Sequence, residues 1–131
     1  MSREKLERIL CVEDEEDIRR IQAIALEGLG GFKVKACASG AEAIQEAPAF
    51  APQLILLDVM MPGMDGPTTL KSLRTLAGLE ETPVIFVTAK VQPDEVDYYL
   101  EIGALGVISK PFDPMTLAAQ LKDIWELRHA R

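Results

Sequence analysis

Five short runs rich in β-branched residues alternate with longer stretches of helical period, and this alternation limits what the chain can fold into more than any other feature. The runs are ILCV (9–12), FKVKAC (32–37), QLILL (53–57), PVIFVT (83–88) and GVIS (106–109). Between the first two, residues 15–29 put Ile18, Ile21, Ala25 and Leu29 on one helical face, and near the end 113–128 do the same with Leu117, Leu121 and Ile124. Shorter helices are predicted near 40–47, 67–77 and 94–102. Ser39 and Glu42 have capping-box spacing, Pro67 suits a first helical turn, and Gly30-Gly31 and Gly103 can stop helices. Such a βα alternation reads as a parallel sheet with helices on both faces, joined by right-handed crossovers.

At 131 residues the chain is one domain, long enough to bury a core without disulfides or metal as staples. A hydrophobic fraction of 48% with 27% charged residues excludes disorder. The net charge of −7 opposes phosphate backbones and anionic lipid, which disfavours direct nucleic-acid binding. MSREKLERIL lacks the apolar core of a signal peptide, and no apolar stretch approaches the roughly 20 residues of a membrane span. A cytoplasmic protein is expected. Cys11 and Cys37 lie in apolar runs without a second Cys or His at ligand spacing, and are read as buried reduced thiols. His129 sits in a polar tail and receives no role.

In this architecture ligands bind outside the carboxyl ends of the strands. The first strand runs out into Glu13-Asp14, the third into Asp58, the fourth into Thr88-Ala89 and the fifth into Lys110, whereas the second runs into Ala38-Ser39. Three carboxylates at one sheet edge push one another toward protonation unless a cation is near. Mg²⁺ takes oxygen ligands, so Glu13, Asp14 and Asp58 suit it, and Lys110 can neutralise the remaining charge. With a cation and a lysine beside it, Asp58 can form an acyl phosphate, Thr88 can donate to a phosphoryl oxygen, and Ala89 leaves that oxygen room.

Singly, each residue has a simpler explanation. Glu13 to Asp17 can be the acidic first turn of a helix with Asp14 as its N-cap, and that explanation is kept for Glu15, Glu16 and Asp17. Thr88 is a good strand residue, Lys110 a solvated cation, and Asp58 can satisfy turn amides. Only as a set, sorted to converging strand ends, do they demand chemistry.

Together these residues resemble the receiver domain of bacterial two-component response regulators, from about residue 7 to 128. Asp58-Val59-Met60-Met61-Pro62-Gly63-Met64-Asp65-Gly66 is similar to that family's phosphoacceptor loop, correctly spaced from Glu13-Asp14, Thr88-Ala89 and Lys110-Pro111-Phe112. The resemblance implies a flavodoxin-like three-layer (βα)5 doubly wound sheet in strand order 2-1-3-4-5, and a cis bond before Pro111. It implies that Asp58 accepts a phosphoryl group from a sensor histidine kinase or histidine phosphotransfer protein. Asp14 and Asp58 would bind Mg²⁺ (or Mn²⁺) directly, Glu13 through water, with the Met60 carbonyl completing the shell. Thr88, Ala89 and Lys110 would receive the phosphoryl oxygens, and Met60 and Lys90 would flank the path of hydrolytic water.

The same resemblance implies an output face made of the fourth helix, fifth strand and fifth helix, signalling by protein contact rather than by direct nucleic-acid or membrane binding. The family's aromatic switch residue stands three positions before the lysine, where this chain has Val107. A valine carries no ring to swing, so movement of the 88–93 loop is the remaining route. Tyr98 and Tyr99 are adjacent and cannot both be buried on one helical line, and Trp125 is read as helix packing. The chain reaches Arg131 directly after the fifth helix, so 1–131 is expected to be a single receiver without an effector domain, either stand-alone, as Met1 favours, or cut from a longer regulator or hybrid kinase. An interaction module that no longer takes phosphate is the alternative, kept open by Val107. A phosphohydrolase would want a second Asp where Met60 stands. No turnover on an external substrate is expected.

Overall fold

The computed structural model describes residues 4–128, so His129 and the terminal residues Met1 and Arg131 lie outside it. The elements are β1 (Arg8–Val12), α1 (Glu16–Ile24) running into a π-helical turn (Ala25–Leu29), β2 (Lys33–Cys37), α2 (Gly40–Phe50), β3 (Leu54–Asp58), α3 (Gly66–Leu73), β4 (Val84–Thr88), α4 (Pro93–Glu101), β5 (Gly106–Ser109) and α5 (Leu117–Leu127). The strands form one parallel sheet in the order β2-β1-β3-β4-β5, as expected of a doubly wound α/β fold.

β3 and β4 are buried at every position, which is why they read as unbroken apolar runs, while edge strand β2 is only partly covered. Side chains alternate between the faces. Ile9, Cys11, Leu56, Ile85 and Val87 pack with Leu26, Leu117, Leu121 and Trp125 of the α1/α5 layer. Leu10, Val12, Ile55, Leu57 and Phe86 pack with Ala43, Ala47, Leu70, Leu73 and Tyr99 of the α2/α3/α4 layer. Cys11 and Cys37 therefore face opposite sides of the sheet and cannot pair. Burial drives the Cys11 thiol pKa far up and pushes that of Cys37 up to about 12, so both stay protonated.

Several helix boundaries and faces differ from the sequence reading. On α1, Ile21 and Leu29 are exposed and Ile18 is half-buried; Gln22, Ala25 and Leu26 take the core-facing positions. The π turn widens the helix after Ile24, Leu29 at its end is exposed, and Phe32, whose N–H donates to Leu26 O at 3.1 Å, is buried in the same cluster as Leu26. α3 stops at Leu73, and Thr75, Leu76 and Leu79 close tight turns instead. α5 starts only at Leu117, after Asp113 has turned the chain by accepting the Met115 N–H on its carboxylate and the Thr116 and Leu117 N–H groups on its carbonyl. Other local signals match: Ser39 Oγ caps α2 by accepting the Glu42 N–H, although the Glu42 carboxylate reaches the Ala38 N–H, one residue before the expected box partner.

Candidate functional site

The register aligns the strand ends. Val12 lies opposite both Cys37 and Leu57, Asp58 opposite Val87, and Thr88 opposite Ser109. Glu13, Asp58, Thr88 and Lys110 therefore emerge within about one rung of each other at one rim, which is why residues scattered along the sequence meet.

Glu13 is fully buried. Its Oε2 accepts the Glu15 N–H at 3.1 Å, its own N–H donates to Cys37 O at 3.0 Å, and Lys110 Nζ lies 2.8 Å from its Oε1. Asp14 is half-buried, and its Oδ1 is shielded from solvent without a hydrogen-bond partner. Asp14 does not cap α1: Glu15 occupies the N-cap, and no side chain accepts there. One carboxylate oxygen from each of Glu13, Asp14 and Asp58 lies within 4.8 Å of the others.

Asp58 is the last residue of β3 and 2% exposed. Its Oδ1 is 3.2 Å from Lys110 Nζ and receives the Met60 N–H at a long 3.4 Å. The loop after it does not depend on that carboxylate, because Gly66 N–H donates to Val59 O at 2.8 Å and Asp65 Oδ1 caps α3 through the Thr68 N–H at 2.9 Å. Gly66 is required by the close approach: a Cβ there would stand 2.5 Å from Asp58 O. Burial, then the charge of Glu13, raises the Asp58 pKa to about 7 against the pull of Lys110. For Lys110, burial works against the charge, but the two carboxylates outweigh it and raise its pKa.

Thr88 is buried, and its Oγ accepts the Lys90 N–H at 3.0 Å, which leaves the hydroxyl proton to donate elsewhere. Ala89 and Lys90 are exposed beside it, and Met60 is 62% exposed. The Lys110–Pro111 bond is cis. Val107 lies away from this rim. It is half-buried against the α2/α3/α4 cluster, in register with Phe86, whose ring packs 5.4 Å from that of Tyr99. Tyr99 is buried and Tyr98 half exposed, while Trp125 is buried with its Nε1–H donating to Glu4 O.

Arg19 belongs to this rim, yet nothing in the sequence reading singled it out. Its Nη1 donates to Glu13 O at 2.9 Å and Asp14 O at 3.3 Å. The available signal was a cation in the first turns of a helix, where the macrodipole disfavours positive charge.

The protein-family comparison matches residues 9–122 to the response regulator receiver domain. The chain is 35% identical over 116 residues to DNA-binding response regulator MtrA of Mycobacterium tuberculosis, covering 88% of this chain and 49% of that protein. It is 36% identical over 117 residues to response regulator Rre1 of Synechocystis, covering 88% and 50%. It thus spans about half the length of the curated relatives it matches. Chemotaxis protein CheY4 of Vibrio cholerae superimposes with a TM-score of 0.84 at 30% identity, over 92% of this chain and 99% of that one. The receiver domain of a histidine kinase from Syntrophus aciditrophicus gives 0.77 at 32% identity, over 92% and 90%. Among the described residues no helix is long and apolar enough to cross a membrane. In sequence and in fold alike, the chain belongs to the response regulator receiver domain family.

Proposed function

We infer that this receiver is a Mg²⁺-dependent phosphoacceptor switch in which Asp58 takes a phosphoryl group from a phosphohistidine of a sensor histidine kinase or phosphotransfer protein. The observation that carries this reading is the buried carboxylate of Asp58, held within 4.8 Å of two further carboxylates and bridged to one of them by Lys110. The residues fit a hard divalent ion: the donors are all oxygens, and Asp14 Oδ1 is a shielded acceptor still lacking a partner. Glu13, Asp14, Asp58 and the Met60 carbonyl would hold it. When bound, Mg²⁺ (or Mn²⁺) supplies positive charge against the transferring phosphoryl oxygens.

An Asp58 carboxylate oxygen forms the bond to phosphorus as the phosphorus–nitrogen bond of the donor breaks, and the imidazole leaves with the electron pair and takes a proton from solvent. Lys110 shifts its charge from the carboxylates toward the phosphoryl oxygens, Thr88 donates its hydroxyl to one of them, and the Ala89 methyl leaves space for it. Met60 and Lys90 flank the approach of hydrolytic water. An apolar recess of about 310 Å³ between Ile18, Ile21, Pro111 and Phe112 adjoins Lys110 and gives the donor protein a surface beside the acceptor. With Val107 in place of a ring, rearrangement of the 88–93 loop carries the signal to the face of α4, β5 and α5, where a downstream protein binds. The domain itself turns over no external substrate, contacts no nucleic acid or membrane, and works in the cytoplasm.

Incubation with acetyl phosphate and Mg²⁺, followed by intact mass, tests this. One phosphoryl addition that requires Mg²⁺ and disappears in Asp58→Asn is expected. No adduct on folded protein would favour a receiver-like module that works without phosphate, and rapid turnover of many phosphomonoesters would favour a hydrolase.

A further inference from the structure

We propose that Arg19 is a positioning residue that holds the Glu13-Asp14 segment in place for the divalent ion. The proposal rests on the metal-dependent reading above and adds a residue to it. Side chains of a helix lean toward its N-terminus, and Arg19, in the second turn of α1, reaches back past the first turn so that one guanidinium nitrogen donates to the carbonyls of both acidic residues. Those carbonyls lie between the end of β1 and the start of α1, where neither ladder nor helix supplies them a donor.

The neighbouring cation behaves differently. Arg20 forms an exposed i,i+4 pair with Glu16 at 3.4 Å, an ordinary helix-surface contact. Arg19 carries charge toward the positive end of the helix dipole, an unfavourable place unless it has specific acceptors there. Asp14 has none of the side-chain bonds that fix Glu13: its Oδ1 is unpartnered. The orientation of its carboxylate therefore depends on the backbone that bears it, and Arg19 ties the carbonyls of the two successive peptide units, Glu13–Asp14 and Asp14–Glu15, that flank the Asp14 Cα. Removing the guanidinium frees the peptide to rotate, and the ion then has to order the ligand that Arg19 orders now. Outer-shell partners of this kind typically change metal affinity by about tenfold or more.

The test compares wild type, Arg19→Met and Arg19→Lys. Binding of Mn²⁺ is read directly from the free-ion resonance signal, and the rate of phosphorylation by acetyl phosphate is followed against Mg²⁺ concentration. Arg19→Met should bind Mn²⁺ about tenfold more weakly and need correspondingly more Mg²⁺ for half-maximal rate, while the rate at saturating Mg²⁺ stays near wild type. Arg19→Lys, which keeps charge and donors, should recover part of the affinity. Unchanged Mn²⁺ affinity in folded Arg19→Met, or a fall in the saturating rate with the Mg²⁺ requirement unmoved, overturns the proposal. If wild type itself binds no Mn²⁺ and forms no adduct, it is the phosphoacceptor reading that fails.

Discussion

Lys110 stands closer to Glu13 than to Asp58: its Nζ is 2.8 Å from Glu13 Oε1 and 3.2 Å from Asp58 Oδ1. The lysine thus compensates a wholly buried carboxylate that is not the proposed acceptor, and it is shared with the one that is. Burial first, and then the charge of Glu13, which shares the same cation, explains why Asp58 remains hard to ionise although an ammonium group touches it.

Removing that cation should destabilise the metal-free protein. Lys110→Met leaves Glu13 buried without a charge partner, a change that costs about 3–5 kcal/mol when a buried pair loses one member. Urea denaturation in EDTA at pH 8 measures it. Mg²⁺ should restore more stability to the variant than to wild type, because it replaces the missing positive charge. A variant as stable as wild type in EDTA would mean that the lysine does not compensate the buried acids.

The Asp58 pKa predicts a pH dependence with a definite sign. Its folded value, about 7, lies above the ordinary carboxylate value of 3.8, so the native state binds the extra proton. In EDTA, stability contributed by the protonated acid is complete below about pH 4 and is lost as pH rises toward 7. Denaturation midpoints between pH 4.5 and roughly 8 should show that decline, and Asp58→Asn, which cannot titrate, should flatten it and be the more stable protein at the upper end by about 1–3 kcal/mol. Mg²⁺ needs the ionised form, so its apparent affinity should weaken below pH 7 by up to about tenfold per unit.

Gly66 offers a test in which two effects of opposite sign compete. An alanine in a helix usually gains about 1 kcal/mol over glycine, but at Gly66 the added Cβ meets Asp58 O at 2.5 Å and Val59 Cα at 2.8 Å, both backbone atoms that cannot turn aside. Overpacking of that kind costs about 1–3 kcal/mol, so Gly66→Ala should be destabilised and, on the proposed function, slow to phosphorylate, since the strain falls on Asp58, the proposed acceptor. Gly28→Ala, with nothing within 4 Å of the new methyl, should be neutral or more stable. Thermal melts of the pair decide it, and a stabilised Gly66→Ala would show that the loop can move away.

What the sequence disclosed and what it withheld follow from the range of the forces involved. β3 and β4 were legible because a strand buried on both faces must be apolar throughout, and the rim residues because four such runs end on acids, a hydroxyl and a lysine. The buried face of α1 was not: Ile18, Ile21, Ala25 and Leu29 satisfy the helical period as well as Gln22, Ala25 and Leu26 do, burial of a glutamine in place of Ile21 runs against the apolar pattern, and the π turn after Ile24 leaves no mark in it. Asp14 as an N-cap was equally compatible with the local sequence, but the helix starts one residue later, with Glu15 at the N-cap, and the Asp14 oxygen is left shielded and unpartnered. Arg19 escaped notice because its acceptors are main-chain carbonyls, which every residue carries.

Met60 sets the expected lifetime of the phosphorylated state. It lies two residues beyond Asp58, its N–H reaches Asp58 Oδ1, and its thioether side chain is 62% exposed, which fits the proposal that an apolar group flanks the path of water to the proposed acceptor. A thioether is at best a weak acceptor and does not orient water, whereas an asparagine amide both donates and accepts. Met60→Asn should therefore lose phosphate faster, by roughly fivefold, equivalent to about 1 kcal/mol in the barrier. The two proteins would be phosphorylated with acetyl phosphate and Mg²⁺, separated from the donor, and followed by intact mass. The fold and Mg²⁺ affinity should be unchanged, since the proposed ligand from this residue is its carbonyl rather than its side chain. Faster decay in wild type than in Met60→Asn would contradict the assignment and move control of hydrolysis to Lys90, the other exposed side chain flanking the approach.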